Sequence, residues 1–154
     1  MQDLSLVAQR HIYAMEQWQI DKVRQLEAEI LKLPQTKVPT RHVLHAGMYS
    51  RTMEVPAQTI ITGVLMKIPT LLIIEGHFIL LVSGEPKELK GYNIFTGTAN
   101  RKQAGIAITE ANVTMIFPTK AKTIEEAEEE FTDETDLLFS RYPDAENHVT
   151  ITGD

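Results

Sequence analysis

Between Thr40 and Pro118 the chain reads as seven short apolar or alternating runs, MYSRTMEV, TIITGVLM, LLIIE, HFILLV, YNIF, AGIAI and NVTMIF. Turn residues fall between them or close them, at Gly47, Pro56, Gly76, Gly84-Glu-Pro86, Gly91, Gly97 and Asn112. Strands so closely and evenly spaced, with no helical stretch between them, bury their apolar faces against one another. The expectation is therefore a mainly β protein, with a sandwich or barrel over residues 37–120.

The flanking segments read differently. Leu4 to Leu33 holds no Gly or Pro, is rich in Gln, Glu, Ala, Leu and Lys, and stops at Pro34. That pattern predicts one long N-terminal helix, an arm over residues 1–36 roughly 45 Å long at the helical rise. Val23, Leu26, Ile30 and Leu33 repeat at coiled-coil spacing and are candidate oligomerisation residues. Leu4, Ala8, Met15 and Trp18 form a less regular stripe. The same helix would serve equally by lying on its own domain. Over residues 121–142, Thr123-Ile-Glu-Glu126 has the form of a capping box, which predicts a short acidic helix to about Phe131. A further turn would carry Leu137, Leu138 and Phe139. The tail, 143–154, is either mobile or an edge strand.

Charge and composition exclude several classes. The net charge is −6, yet Thr123 to Asp136 holds eight acidic residues and no basic one, so the remainder is weakly basic. A dedicated nucleic-acid binder would show a broad basic face instead. The acidic run is read as a solvated helix face, with a docking surface for a basic partner as the other reading. There is no cysteine, which excludes disulfides and thiolate metal sites. The longest apolar run, Leu71 to Val82, is broken by Glu75, Gly76 and His77 and is too short to span a membrane. The opening MQDLSLVAQR lacks a basic region followed by an apolar one, so a cytoplasmic protein is expected. No P-loop, nucleophile elbow or dinucleotide-binding glycine pattern is present. Of the five histidines only His42 and His45 are close enough to suggest a shared metal, and a surface or cavity-rim role is the commoner fate of such a pair.

Two stretches carry a resemblance to the cupin superfamily of double-stranded β-helix jelly rolls. Its first signature is G-x5-H-x-H-x3/4-E-x6-G. Here Gly63 is followed by five residues, Pro69-Thr-Leu71 stands in place of H-x-H, Glu75 takes the acidic position, and the closing glycine comes two residues late, at Gly84. The second is G-x5-P-x-G-x2-H-x3-N. Gly91 is followed by YNIFT, Gly97-Thr-Ala99 replaces P-x-G, Lys102 falls at the histidine position and Ile106 at the asparagine. From Arg41 to Arg141 the chain further resembles small, mostly uncharacterised cupin-like proteins of tailed bacteriophages and prophages. That resemblance rests on HAGMYSR (45–51), VPA (55–57), GYN (91–93), RKQAG (101–105), FPT (117–119) and the acidic end.

The resemblance implies a jelly roll whose metal-ligand positions hold Pro69, Leu71, Glu75 and Lys102. Proline and leucine have no donor, and an ammonium repels a cation, so no metal and no cofactor are expected. If Pro69 and Leu71 point inward, so do Lys67, Ile73 and Glu75. A buried Glu75–Lys102 ion pair is then expected inside a largely dry, filled barrel. The functional alternative is that Lys67, Arg101, Lys102 and Arg51 bind an anion, with Tyr49 or Tyr92 stacking on it. Three functions follow. The first is a non-catalytic homo-oligomer of phage type, a dimer for preference, acting by binding. It would serve as an assembly protein or as an inhibitor of a host protein, in the cytoplasm of the bacterial cell or infected host, or in the virion. The second is a binder of a small anionic, nucleotide-like ligand. The third is a metal-free isomerase-like enzyme.

Overall fold

The computed structural model describes residues 10–82 and 84–153. The expected sheets are present. A seven-stranded sheet runs in the order β1 (His11–Ile12), β8 (Tyr92–Gly97), β5 (Thr70–Glu75), β10 (Ala111–Pro118), β3 (Met48–Val55), β2 (Thr40–His45) and β11 (Asn147–Ile151). A four-stranded sheet holds β4 (Thr59–Thr62), β9 (Ala104–Ala107), β6 (Phe78–Val82) and β7 (Glu85–Leu89). Most neighbouring pairs are antiparallel, and non-consecutive strands such as β10 and β5 lie side by side, in register from Asn112↔Glu75 to Ile116↔Leu71. The two sheets together make a double-stranded jelly roll. Its core lies between the sheets, built on Val55, Ile74, Phe78, Phe95 and Ala107, each at most 1% exposed.

The long N-terminal helix is not formed. Helix α1 covers Gln17–Ile30, about 21 Å at the helical rise. Before it the chain runs extended, and His11 and Ile12 pair parallel with Thr96 and Gly97. Sheet pairing and burial of Ile12 there outweigh the modest helical preference of the segment. Glu16 begins the helix, its backbone N–H donating to Gln19 Oε1 at 2.9 Å. Leu4 and Ala8 of the early stripe lie outside the described residues.

Helix α1 docks on its own barrel through buried Ile20, and Glu27 reaches across to Lys102. Val23, Leu26 and Ile30 are half-buried, whereas Leu33 is exposed.

The C-terminal region follows its sequence closely. Thr123 caps α2 (Ile124–Phe131), its hydroxyl accepting from the Glu126 N–H at 3.1 Å. Two 3-10 turns, Thr135–Leu137 and Phe139–Arg141, come next. The tail takes the edge-strand alternative, β11 pairing parallel with β2 from Asn147↔Thr40 to Ile151↔Leu44. No helix among the described residues is long and apolar enough to cross a membrane.

Candidate functional site

Strand parity inside the barrel is opposite to the one expected from the signature. Thr70, Leu72 and Ile74 point inward, while Leu71 and Glu75 are exposed. The run Leu-Leu-Ile-Ile is apolar in both phases, so its pattern cannot choose between them. Charge decides. The phase adopted buries Val64, Met66, Thr70, Leu72 and Ile74, whereas the other would carry Lys67 and Glu75 into the core. Glu75 instead accepts from Asn112 Nδ2 at 3.3 Å on the outer face. The expected Glu75–Lys102 ion pair does not exist.

Lys102 is fully buried, but beneath α1 and the C-terminal segment. Its Nζ lies 3.0 Å from Glu27 Oε2 and 2.9 Å from Glu134 Oε1. Glu134 also accepts from the Leu65 N–H at 2.7 Å. Burial alone would raise its carboxyl, but that hydrogen bond and the Lys102 ammonium win and hold it below the ordinary glutamate value.

Arg51 does point inward, and it too is matched. Its guanidinium stands 2.7 Å from Glu128 Oε2 with both side chains buried, and lies over the Phe131 ring. Glu128 is further held by Arg141 Nε at 2.7 Å and by the Ser140 hydroxyl. Burial pushes the Glu128 carboxyl up, yet the bonds from Ser140 and Arg141 and the Arg51 charge outweigh it and keep it ionised. The acidic segment is thus only partly a solvated face. Glu125, Glu126 and Glu129 are exposed, while Glu128 and Glu134 supply the counter-charges of buried cations.

Those two carboxylates fasten a lid. Leu137, Leu138 and Phe139 line a cavity of about 120 Å³ together with the barrel wall. Its other walls are chiefly apolar, among them Met53, Leu72, Ile74, Leu80 and Val113. The expected filled interior therefore has the expected chemistry but contains a space. Thr132 Oγ1 donates to the Leu65 carbonyl at 2.7 Å and Lys67 pairs with Asp133 at 2.6 Å, securing the near end of the lid.

Arg101 and Gln103 line the same cavity. They are two apart on an extended segment and so share a side, with Lys102 between them on the other. Arg101 is 2% exposed. Its Nη2 donates to Thr70 Oγ1 at 2.6 Å and its Nη1 to the Thr98 carbonyl, but Nε meets no acceptor. Gln103 Nε2 is likewise buried without one. Gly97 makes room for this guanidinium, since a Cβ there would lie 2.6 Å from Arg101 Cζ. Burial pushes the Arg101 guanidinium down to about 10, still a cation at neutral pH.

The remaining candidates are dispersed. Tyr49 is buried, hydrogen-bonded to His42 Nδ1 at 2.7 Å and packed edge-on against Phe117, with burial pushing its phenol up to about 12. Tyr92 is exposed on the outer face. Lys67 sits outside the barrel. The structure therefore brings Arg51 and Arg101 to one cavity and leaves Lys67, Glu75, Tyr92 and Lys102 away from it. Gln103, Glu128 and Glu134 were not singled out from the sequence, and Leu137, Leu138 and Phe139 were read only as a turn after the acidic helix, with no place at a cavity. The alternation of Arg101, Lys102 and Gln103 was the available signal for the first of these.

The residues at the signature's metal positions do not fit a metal. Leu71 and Glu75 face outward, Lys102 is an ion-paired cation, and Pro69 has no donor. His42 is inward and bonded to Tyr49 and Asn147, while His45 faces solvent. Among the described residues no three His, Asp or Glu side chains are grouped to hold an ion.

No protein-family model and no curated protein matches the chain. Solved structures do. A cupin superfamily protein from Desulfitobacterium hafniense superposes with a TM-score of 0.47 at 10% identity, over 60% of this chain and 87% of its own. A cupin-2 domain protein from Shewanella frigidimarina gives 0.43 at 12% identity, over 60% and 91%. A salicylate 1,2-dioxygenase from Pseudaminobacter salicylatoxidans gives 0.49 at 16% identity, over 85% of this chain but only 42% of the enzyme. At such identities and TM-scores these likenesses say nothing of activity, ligand or partners.

Proposed function

We propose that this chain acts by binding, and that the seat of binding is the lidded cavity inside the barrel, where it takes a small, largely apolar molecule without a metal. The observation that carries this reading is the chiefly apolar space of about 120 Å³ lined by Leu137, Leu138 and Phe139 and the barrel wall. Interiors of this size class are normally filled, and one that is not forfeits packing contacts. Nucleotides and sugar phosphates are disfavoured as ligands, since the walls are chiefly apolar and the space is small. Fluorescence-monitored melting with small neutral probes such as 3-methylbutan-1-ol and toluene tests the proposal. Binding should raise the melting temperature of the native chain and not that of Val113→Phe, which fills the space. A native chain indifferent to every probe would reject it.

A second reading, self-association, is favoured by the outer face of the large sheet. Leu71, Ile94 and Tyr92 are 43%, 46% and 61% exposed there, and Ile73 pairs in register with Ile94. Contiguous exposed apolar surface of this kind is commonly covered by protein. Sedimentation should give a dimer that Ile94→Lys converts to a monomer. A native monomer at micromolar concentration would remove this reading.

A further inference from the structure

Three cations, Arg51, Arg101 and Lys102, are buried among the described residues. The fold supplies carboxylates to two of them. Arg51 has Glu128, and Lys102 has both Glu27 and Glu134. Arg101 has hydroxyl and carbonyl acceptors at its two terminal nitrogens and, among the described residues, no carboxylate. An unmatched buried guanidinium is costly, and desolvation with no compensating anion is what lowers its proton affinity. Yet the chain makes room for it by placing glycine at position 97, where any larger residue would displace it. It also leaves a second unmet donor, Gln103 Nε2, on the same cavity.

We infer that the missing carboxylate belongs to the ligand, and that the cavity takes a short aliphatic monocarboxylate whose oxygens accept from Arg101 Nε and Gln103 Nε2. The hydrocarbon end lies against Leu72, Ile74, Leu80 and Val113. This rests on the cavity-binding reading above and specifies its ligand class. Size limits the chain. An apolar cavity of about 150 Å³ holds a benzene, so the present one admits about four to six carbons. A phosphate or sulfate, with more oxygens to satisfy, finds only two unmet donors here, and a carboxylate matches both.

The experiment titrates the native ¹⁵N-labelled chain at pH 7 with 3-methylbutanoate and with its neutral isostere 3-methylbutanamide. It follows the Arg101 Nε–H and Gln103 side-chain amide signals by NMR. The acid should bind about ten- to a hundredfold tighter than the amide, the factor a charge-assisted hydrogen bond supplies, and should move both signals. Gly97→Ala pushes only the mobile end of Arg101 and should fold; it should abolish the acid's advantage while sparing the amide. Arg101→Lys, which keeps the charge but not Nε, should do the same. Equal binding of acid and amide would overturn the carboxylate assignment and leave the cavity reading standing. Tight acid binding that leaves the Arg101 Nε–H signal unmoved would also overturn it. Failure of both compounds to bind the folded native chain would overturn the assignment and count against the cavity reading as well.

Discussion

Arg51 Nη1 and Glu128 Oε2 lie 2.7 Å apart, seventy-seven positions apart in sequence, with both side chains almost wholly buried. Through this contact the inner wall of the barrel grips the segment whose Leu137, Leu138 and Phe139 line its cavity. Arg141 and Ser140 converge on the same carboxylate, so Glu128 is the point at which lid, helix α2 and strand β3 are joined.

Removing that carboxylate should therefore be expensive. Glu128→Gln leaves the Arg51 guanidinium buried without its counter-charge, a change that typically costs about 3–5 kcal/mol. Chemical denaturation should show this loss. Glu126→Gln, on the solvated side of the same helix, should stay within about 0.5 kcal/mol of native. Equal effects at the two positions would contradict the fastening role of Glu128.

Lys102 should couple to Glu134 and not to Glu75. Lys102→Met strands two carboxylates and should destabilise clearly, and adding Glu134→Gln should recover part of the loss. Adding Glu75→Gln should recover none, because Glu75 is exposed and bonded to Asn112. A double-mutant cycle by urea denaturation measures both couplings.

Acid should loosen the lid before it unfolds the barrel. Glu128 and Glu134 are both held below the ordinary glutamate value of 4.5. A carboxyl lowered on folding contributes stability that is complete above its unfolded value and is lost as pH falls through its folded one. The contribution should accordingly be whole at pH 6 and decline below about 4.5. Hydrogen exchange across a pH series should show amides 124–141 losing protection first, ahead of those in β5 and β10. Simultaneous loss would remove the lid as a separate unit.

Transition metals should neither copurify with the chain nor stabilise it. Elemental analysis of tag-free protein should give far less than one Fe, Mn, Ni or Zn per chain, and added ions should leave its melting temperature unchanged. Stoichiometric metal lost on Glu75→Gln would reverse the reading of the signature positions.

The sequence by itself determined the elements with local causes. Short apolar runs between Gly and Pro breaks made strands, Thr123 with Glu126 began a helix, and positions 69, 71 and 102 hold residues that cannot ligate a cation. What it could not determine were choices in which two local solutions were equally good. Leu71-Leu72-Ile73-Ile74 is apolar in both phases, and burial of the neighbouring Lys67 and Glu75 was avoided only once the sheets came together. Residues 10–15 have adequate helical preference, yet the open edge of β8 offered backbone hydrogen bonds and a buried place for Ile12. The partner of Lys102 was likewise settled in three dimensions, because a buried charge takes whichever carboxylate the fold brings within reach. Only the tertiary structure decided that Glu27 and Glu134 are that pair for Lys102, that Glu128 serves Arg51, and that Arg101 is left facing a cavity without one.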